Sequence, residues 1–464
     1  MTTQESPTDT ATDTASDAAA REAQSGSRAS RGRAGLVAVV VWAVLVAAAF
    51  AVGHLLRRAR LSSEDLLPPL HAQLRADPYT WRMIPAVCVA VACVAVLPVL
   101  VRRLAWRPLL LASWAATLAW TLALAWSDGI DHLARPLDNP GEYPAGVGAV
   151  RDDPLGWLRT FTDRLHDYPT HVRGHPPLPT LVVWALDAVG PGGTTWPAIV
   201  IVLVGTSAVV AVALTVRRLA GEEVARRTLP FLVMAPLVLW IATAMDAFFL
   251  GVGAWGTALV AVAAGRDHIV AAVGGGLLLG SLPYLSYGLL PLFAVPAAVL
   301  IACRPSARVV VALLCGCAAV PVAFTLLGFW WPDGVAATYD TYRVSSGSAK
   351  RSYWYFLVAD FAVLAILVGP AVAHALPSSL ASVVRAARAR TAPPAPGLLA
   401  GAALLGTLAL ALSGVTRGEV ERIWVPYAAW IVVAAARHTP PSRGWLAAQA
   451  VTALAVQALV LSEW

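Results

Sequence analysis

Residues 171–189 read His-Val-Arg-Gly-His-Pro-Pro-Leu-Pro-Thr-Leu-Val-Val-Trp-Ala-Leu-Asp-Ala-Val. Whether this stretch crosses a membrane decides the side on which every later segment lies. Its apolar part begins at Pro176-Pro177, contains Asp187 and runs into Gly190-Pro191-Gly192-Gly193. A membrane-spanning helix needs about 20 apolar residues to cross about 30 Å of hydrocarbon, and this run is clearly shorter. It therefore reads as a re-entrant or interfacial helix at the end of a long polar loop.

Working outward, almost everything else is apolar. The chain has 464 residues, of which 58% are hydrophobic and 13% charged. Soluble domains carry about 25% charged residues, so the composition excludes a soluble protein. Apolar runs are expected to span near 35–55, 83–101, 108–126, 196–216, 228–245, 247–264, 268–285, 287–303, 308–331, 353–376, 397–413, 423–437 and 445–462. The expected fold is all-α, a polytopic bundle of about thirteen spans. Its long extracytoplasmic loop, 127–190, contains amphipathic and re-entrant helices.

Residues 1–34 are polar and lack a hydrophobic run, which reads as a disordered tail. Arg28, Arg31 and Arg33 at its end place it in the cytoplasm. Alternating the spans from there puts Arg102-Arg103, Arg217 to Arg227, Arg304 to Arg308, residues 385–390 and Arg437 to Arg443 on the same side. The positive-inside rule thus supports an inside N-terminus, and the dominance of Ala, Val, Leu and Arg suggests a bacterial plasma-membrane protein. The arginines of the outward loop 56–82 are the main exception. The net charge of +7 belongs to such loops and implies the lipid bilayer, not nucleic acid, as partner. Cys315-Gly-Cys317 has no acidic or histidine companion and reads as small apolar packing.

The polar residues converge on the outward face. Asp128, Asp131, Asp138, Glu142, Asp152 and Asp153 occupy the long loop, which exits through Arg173 and His175. Residues 154–168 place Leu155, Leu158, Phe161 and Leu165 at helical spacing, as in a helix lying on the membrane surface. Asp246 opens an apolar run in Met-Asp-Ala-Phe-Phe, and Arg417, Glu419, Glu421 and Arg422 crowd the entrance to the penultimate run. Charges at such depth cost several kcal/mol unless paired or facing a wet cavity, so Asp246 and Arg422 carry the strongest single-residue signals.

The order of these parts resembles the GT-C glycosyltransferases, most closely the branch of protein O-mannosyltransferases and lipid A aminoarabinose transferases. The resemblance rests on Asp138 to Tyr143, His175-Pro-Pro-Leu178, Asp246-Ala-Phe-Phe249 and Arg422-Ile-Trp-Val-Pro426, and covers the chain from about residue 108. The loop departs from the family in lacking an adjacent acidic pair before its tyrosine.

The resemblance implies transfer of a sugar from a polyprenyl-phosphate donor to a glycan, lipid or protein acceptor. It implies Glu142 as the base, Asp138 as second candidate and Asp246 as an orienting or metal-assisting partner. Tyr143, His175 and Glu421 join the substrate site, and Arg422, Arg417 or Arg173 hold the lipid phosphate. It leaves a divalent metal open as cofactor without naming ligands. One carboxylate suffices to deprotonate an acceptor hydroxyl, and arginine's fork matches phosphate oxygens. Two other readings stay open: a transporter or flippase, and a non-catalytic relative of the same fold.

Overall fold

The computed structural model describes residues 9–61, 65–78, 80–344 and 350–463, with side chains from residue 32 onward. In chain order its helices are α1 (Asp9–Arg58), α2 (Ile84–Arg103), α3 (Trp106–Ala125), α4 (Val147–Val150), α5 (Pro154–Arg159), α6 (Thr170–Gly174) and α7 (Leu178–Val189). There follow α8 (Thr195–Ala220), α9 (Glu222–Met234), α10 (Met245–Arg266), α11 (Ile269–Leu285), α12 (Ala294–Cys303) and α13 (Ala307–Leu326). The last are α14 (Trp331–Val344), α15 (Tyr353–Arg388), α16 (Ala395–Ser413), α17 (Val420–Ile423), α18 (Val425–Val432) and α19 (Arg443–Leu459). Eight helices among the described residues are long and apolar enough to cross a membrane, and the apolar part of α1 is Gly32–Arg58. Shorter apolar helices lie at Leu178–Val189, Ile269–Leu285, Tyr287–Cys303 and Val425–Arg437. The chain is a multi-pass membrane protein built as a helical bundle. The stretch that composition assigns to a disordered tail continues α1 outward from Asp9, and residues 1–8 lie outside the described residues.

Small residues set the helix spacing where no water drives packing. A Cβ on Gly276 would sit 2.3 Å from the Leu313 carbonyl, and one on Gly316 would sit 2.3 Å from that of Val273. This close crossing of α11 and α13 accounts for the Cys315-Gly-Cys317 stretch, whose cysteines are free. Where α15 must bend ahead of Pro370, Gly369 takes φ 76°. The broken backbone groups are met by buried Gln449 of α19, which donates to the Val368 carbonyl (2.8 Å) and accepts from Ala371 N–H (3.2 Å). Gln449→Leu leaves both groups unpaired in the interior and is expected to cost about 1–3 kcal/mol, read as a lower melting temperature in detergent with the fold retained.

The two ends of the bundle differ. At one end Arg226 donates to the carbonyls of Val101 and Leu104 (2.8 and 2.9 Å), and Arg217 lies 4.6 Å over Trp106. From there α3 rises about 30 Å to Asp128, at the other end. Asp128 binds Arg75 through both guanidinium nitrogens, Nη2 at 2.8 Å, and accepts from Gln457 at 3.0 Å. Beside it β1 (Ala72–Leu74) pairs antiparallel with β2 (Val460–Ser462), Ala72 opposite Ser462. The loop 56–82, whose arginines break the charge rule, is thus sewn to the same face as the long loop. Arg75 is neutralised by Asp128. The last apolar run ends as helix at Leu459, because the chain turns there into this ribbon.

The surface helix expected over 154–168 is confined to Pro154–Arg159, capped by Asp153, which accepts from Gly156 N–H at 2.8 Å. Beyond Thr160 the chain leaves the helix so that Phe161 and Tyr168 can stack (5.5 Å), with Trp157 at 5.0 Å from Phe161 and Phe329 at 5.8 Å. Leu158, Phe161 and Leu165 are buried by that aromatic cluster, while Leu155 is exposed. Packing among large rings overrode the local helical spacing. The decisive stretch 176–189 forms α7, twelve residues rising about 18 Å.

Candidate functional site

The site begins in a turn. Asn139 accepts Gly141 N–H on its side chain (2.9 Å) and Glu142 N–H on its carbonyl (2.9 Å), and Glu142 then leads into the short helical turn Tyr143–Gly146. The N-terminus of α6 docks on this turn through His171 N–H to the Gly141 carbonyl (2.8 Å). That contact brings the His171 imidazole against Glu142, with Nδ1 to Oε1 at 2.7 Å. On its other side His171 Nε2 meets Nη2 of Arg422 at 3.2 Å. A guanidinium only donates, so Nε2 accepts, while Nδ1 touches the Glu142 carboxylate without hydrogen-bond geometry.

Arg422 is the hub. Its Nη1 pairs with Asp246 Oδ2 at 3.0 Å and its Nη2 lies 3.5 Å from Glu419 Oε2. Asp246, in the first turn of α10, takes the favourable end of that helix's dipole. Glu142, Asp246 and Arg422 are all buried. The walls are Tyr143 and His175, whose rings lie 5.5 Å apart, with Phe249 6.3 Å beyond His175. His175 donates from Nδ1 to the His171 carbonyl (2.9 Å). Burial, with Arg422 and His171 nearby, pushes His175 down to about 3, so it is neutral.

The ion pairs continue beyond the hub. Arg351 binds Glu419 (3.1 Å) and Asp65 (2.9 Å), and Asp65 binds His71 Nδ1 (2.6 Å). Burial alone would raise Glu419, but Arg422 and Arg351 bring it down to about 2. Burial alone would lower His71, but the hydrogen bond to Asp65 and the charge of Glu419 raise it to about 9. The turn into α17 needs glycine: Gly418 has φ 76°, and a Cβ there would lie 3.2 Å from Arg351 Nη1. Its N–H is accepted by Asp360, the buried acid of α15, at 3.3 Å.

Five residues singled out in the sequence meet here: Glu142, Tyr143, His175, Asp246 and Arg422. Glu421 faces the other way and accepts the backbone N–H of His71 (2.9 Å). Arg417 is held in its turn, donating to the carbonyls of Gly414 (2.8 Å) and Arg351 (3.1 Å). Asp138 stands exposed at the rim and accepts from Thr194 (2.6 Å). Arg173 is half-buried on α6, its carbonyl accepting from Thr338 (3.3 Å), and its guanidinium has no ion-pair partner among the described residues. Sequence reasoning missed His171 as a member of the site, along with Arg351, Asp65 and His71. The signal for His171 was its position one helical turn before His175; for Asp65 and His71 it was the loop that broke the charge rule.

Among the described residues no three His, Cys, Asp or Glu side chains group as metal ligands. The acids of the cluster face His171 and Arg422.

The cluster sets a pH optimum for stability. His71 binds its proton more tightly folded than unfolded, so its contribution is present below about 6.5 and is lost as pH rises toward 9. His175 holds its proton less tightly folded, so stability falls as pH drops from about 6.5 toward 3, and Glu419 adds to that fall between about 4.5 and 2. Melting temperature is expected to peak near pH 6.5. His71→Gln should flatten the alkaline limb and His175→Gln the acid limb; a monotonic profile in the wild type would contradict the assignment.

No family model matches the chain, and no characterised protein and no solved structure matches it.

Proposed function

We propose that the chain is a membrane glycosyltransferase, moving a sugar from a polyprenyl-phosphate donor to a hydroxyl acceptor at the outer face of a bacterial plasma membrane. The observation that carries this reading is the meeting of Glu142, His171, Asp246 and Arg422 in one buried cluster beneath the long loop. Glu142 takes the acceptor's hydroxyl proton, the acceptor oxygen bonds to the anomeric carbon, and the carbon–oxygen bond to phosphate breaks with its electron pair leaving on the polyprenyl phosphate. His171 holds one oxygen of Glu142, so the carboxylate is aimed before substrate arrives. Arg422, committed to Asp246, Glu419 and His171, positions that imidazole. Among the arginines that the resemblance offers, Arg173 has no competing carboxylate among the described residues and suits the phosphate.

In this reading thirteen segments span, α7 is re-entrant and the N-terminus is cytoplasmic. The arginine-rich end opposite the site supports that register. In a cysteine-free background, a cysteine at position 339 in α14 is expected to react with an impermeant maleimide from outside, and one at position 388 only after permeabilisation. The reverse pattern would invert the topology.

The activity is tested by supplying membranes that contain the protein with radiolabelled polyprenyl-phosphate mannose or arabinose. Turnover is expected in the wild type, and Asp246→Asn is expected to lower it. No turnover of any such donor would end the enzyme reading, and solute uptake abolished by Asp360→Asn would favour a transporter.

A further inference from the structure

Beside the cluster, on the same face, lies a cavity of about 510 Å3 between the segment 65–73, the stretch 132–139 and β2. That is the size of pockets that take a small ligand. Its lining mixes donors and acceptors: the amides of Gln73 and Asn139, the imidazoles of His71 and His132, the guanidinium of Arg135, and the carboxylates of Asp65, Asp138 and Glu463. His132 Nδ1 is buried there with no hydrogen-bond partner among the described residues.

We infer that this cavity is the acceptor subsite and that it takes the uncharged, hydroxyl-rich end of a glycan. The inference rests on the glycosyltransferase reading and narrows its acceptor to carbohydrate. Three observations carry it. The wall and the base belong to one turn, since Asn139 lines the cavity and its carbonyl holds the Glu142 N–H. A second tie runs from Asp65 of the lining through Arg351, Glu419, Arg422 and His171 to Glu142. The chemistry of the walls does the rest. Hydroxyls both donate and accept, and so match amides, a neutral imidazole and carboxylates together. For an anionic group the three carboxylates Asp65, Asp138 and Glu463 outnumber the two cations Arg135 and His71, and a prenyl tail would strand these polar side chains unpaired. The donor's phosphate and lipid thus belong elsewhere.

The purified full chain in detergent is probed with a neutral mannobiose and with mannose 6-phosphate by saturation-transfer NMR. Mannobiose is expected to bind the wild type and mannose 6-phosphate to bind more weakly. Gln73→Trp, which fills the cavity, and Glu463→Gln, close to the chain end, are each expected to weaken mannobiose by about tenfold, the effect of one lost good hydrogen bond to a charged group or of steric exclusion. Transfer to mannobiose from polyprenyl-phosphate mannose is expected to fall in both variants. The inference is overturned if mannobiose fails to bind the wild type, if it binds both variants as well as the wild type, or if mannose 6-phosphate binds more tightly. Mannobiose binding that depends on the cavity, with no donor turnover by the wild type, would uphold a carbohydrate site and remove the glycosyltransferase reading alone.

Discussion

Glu142→Gln is expected to lower sugar transfer by about 10²–10⁴-fold, the range spanned by removal of a positioned general base. The turn is held by backbone bonds, Glu142 N–H to the Asn139 carbonyl and His171 N–H to the Gly141 carbonyl, and the amide has the carboxylate's shape, so the turn and the imidazole should hold their places. What is lost is the ability to take a proton from the acceptor hydroxyl. Donor binding should therefore change little while the turnover number collapses, because the missing interaction matters only as the proton moves. Single-turnover transfer from labelled donor, alongside the melting temperature, separates the two effects. Transfer within tenfold of wild type would move the base elsewhere, with Asp138 the next candidate to test.

The second large effect is on the fold. Arg422→Met leaves Asp246 facing no guanidinium and Glu419 with Arg351 alone, and stranding a buried carboxylate costs about 3–5 kcal/mol. His171 loses the donor to its Nε2 in the same step. The expected result is a much lower melting temperature and poor recovery from membranes. Adding Asp246→Asn to Arg422→Met removes the stranded charge and should restore part of the loss. Arg422→Lys is expected to rescue incompletely, because an ammonium cannot serve Asp246 and His171 from the two arms of a planar fork. If Arg422→Met melts like the wild type, the hub is not holding the cluster together.

The membrane character of the chain was legible from composition and run length, because lipid demands long apolar helices that satisfy their own backbone. The length of 176–189 was legible for the same reason, and it becomes a twelve-residue helix. Local spacing was a poorer guide at 154–168, where rings distant in sequence, Phe329 among them, drew the chain out of its helix. Asp246 and Arg422 stood out singly because a charge inside an apolar run needs a reason. Their partnership did not stand out, since the two lie 176 positions apart.

The sequence by itself determined that this is a multi-pass helical protein with polar residues gathered in a few short stretches, since hydrophobic run length and charge placement are local properties. Only the tertiary structure decided which of those residues touch. Burial punishes a charge without its counter-charge, and no local pattern records that Glu142 would find His171, His171 would find Arg422, or that the exceptional loop 56–82 would supply Asp65 and His71 to the far end of the same chain of ions.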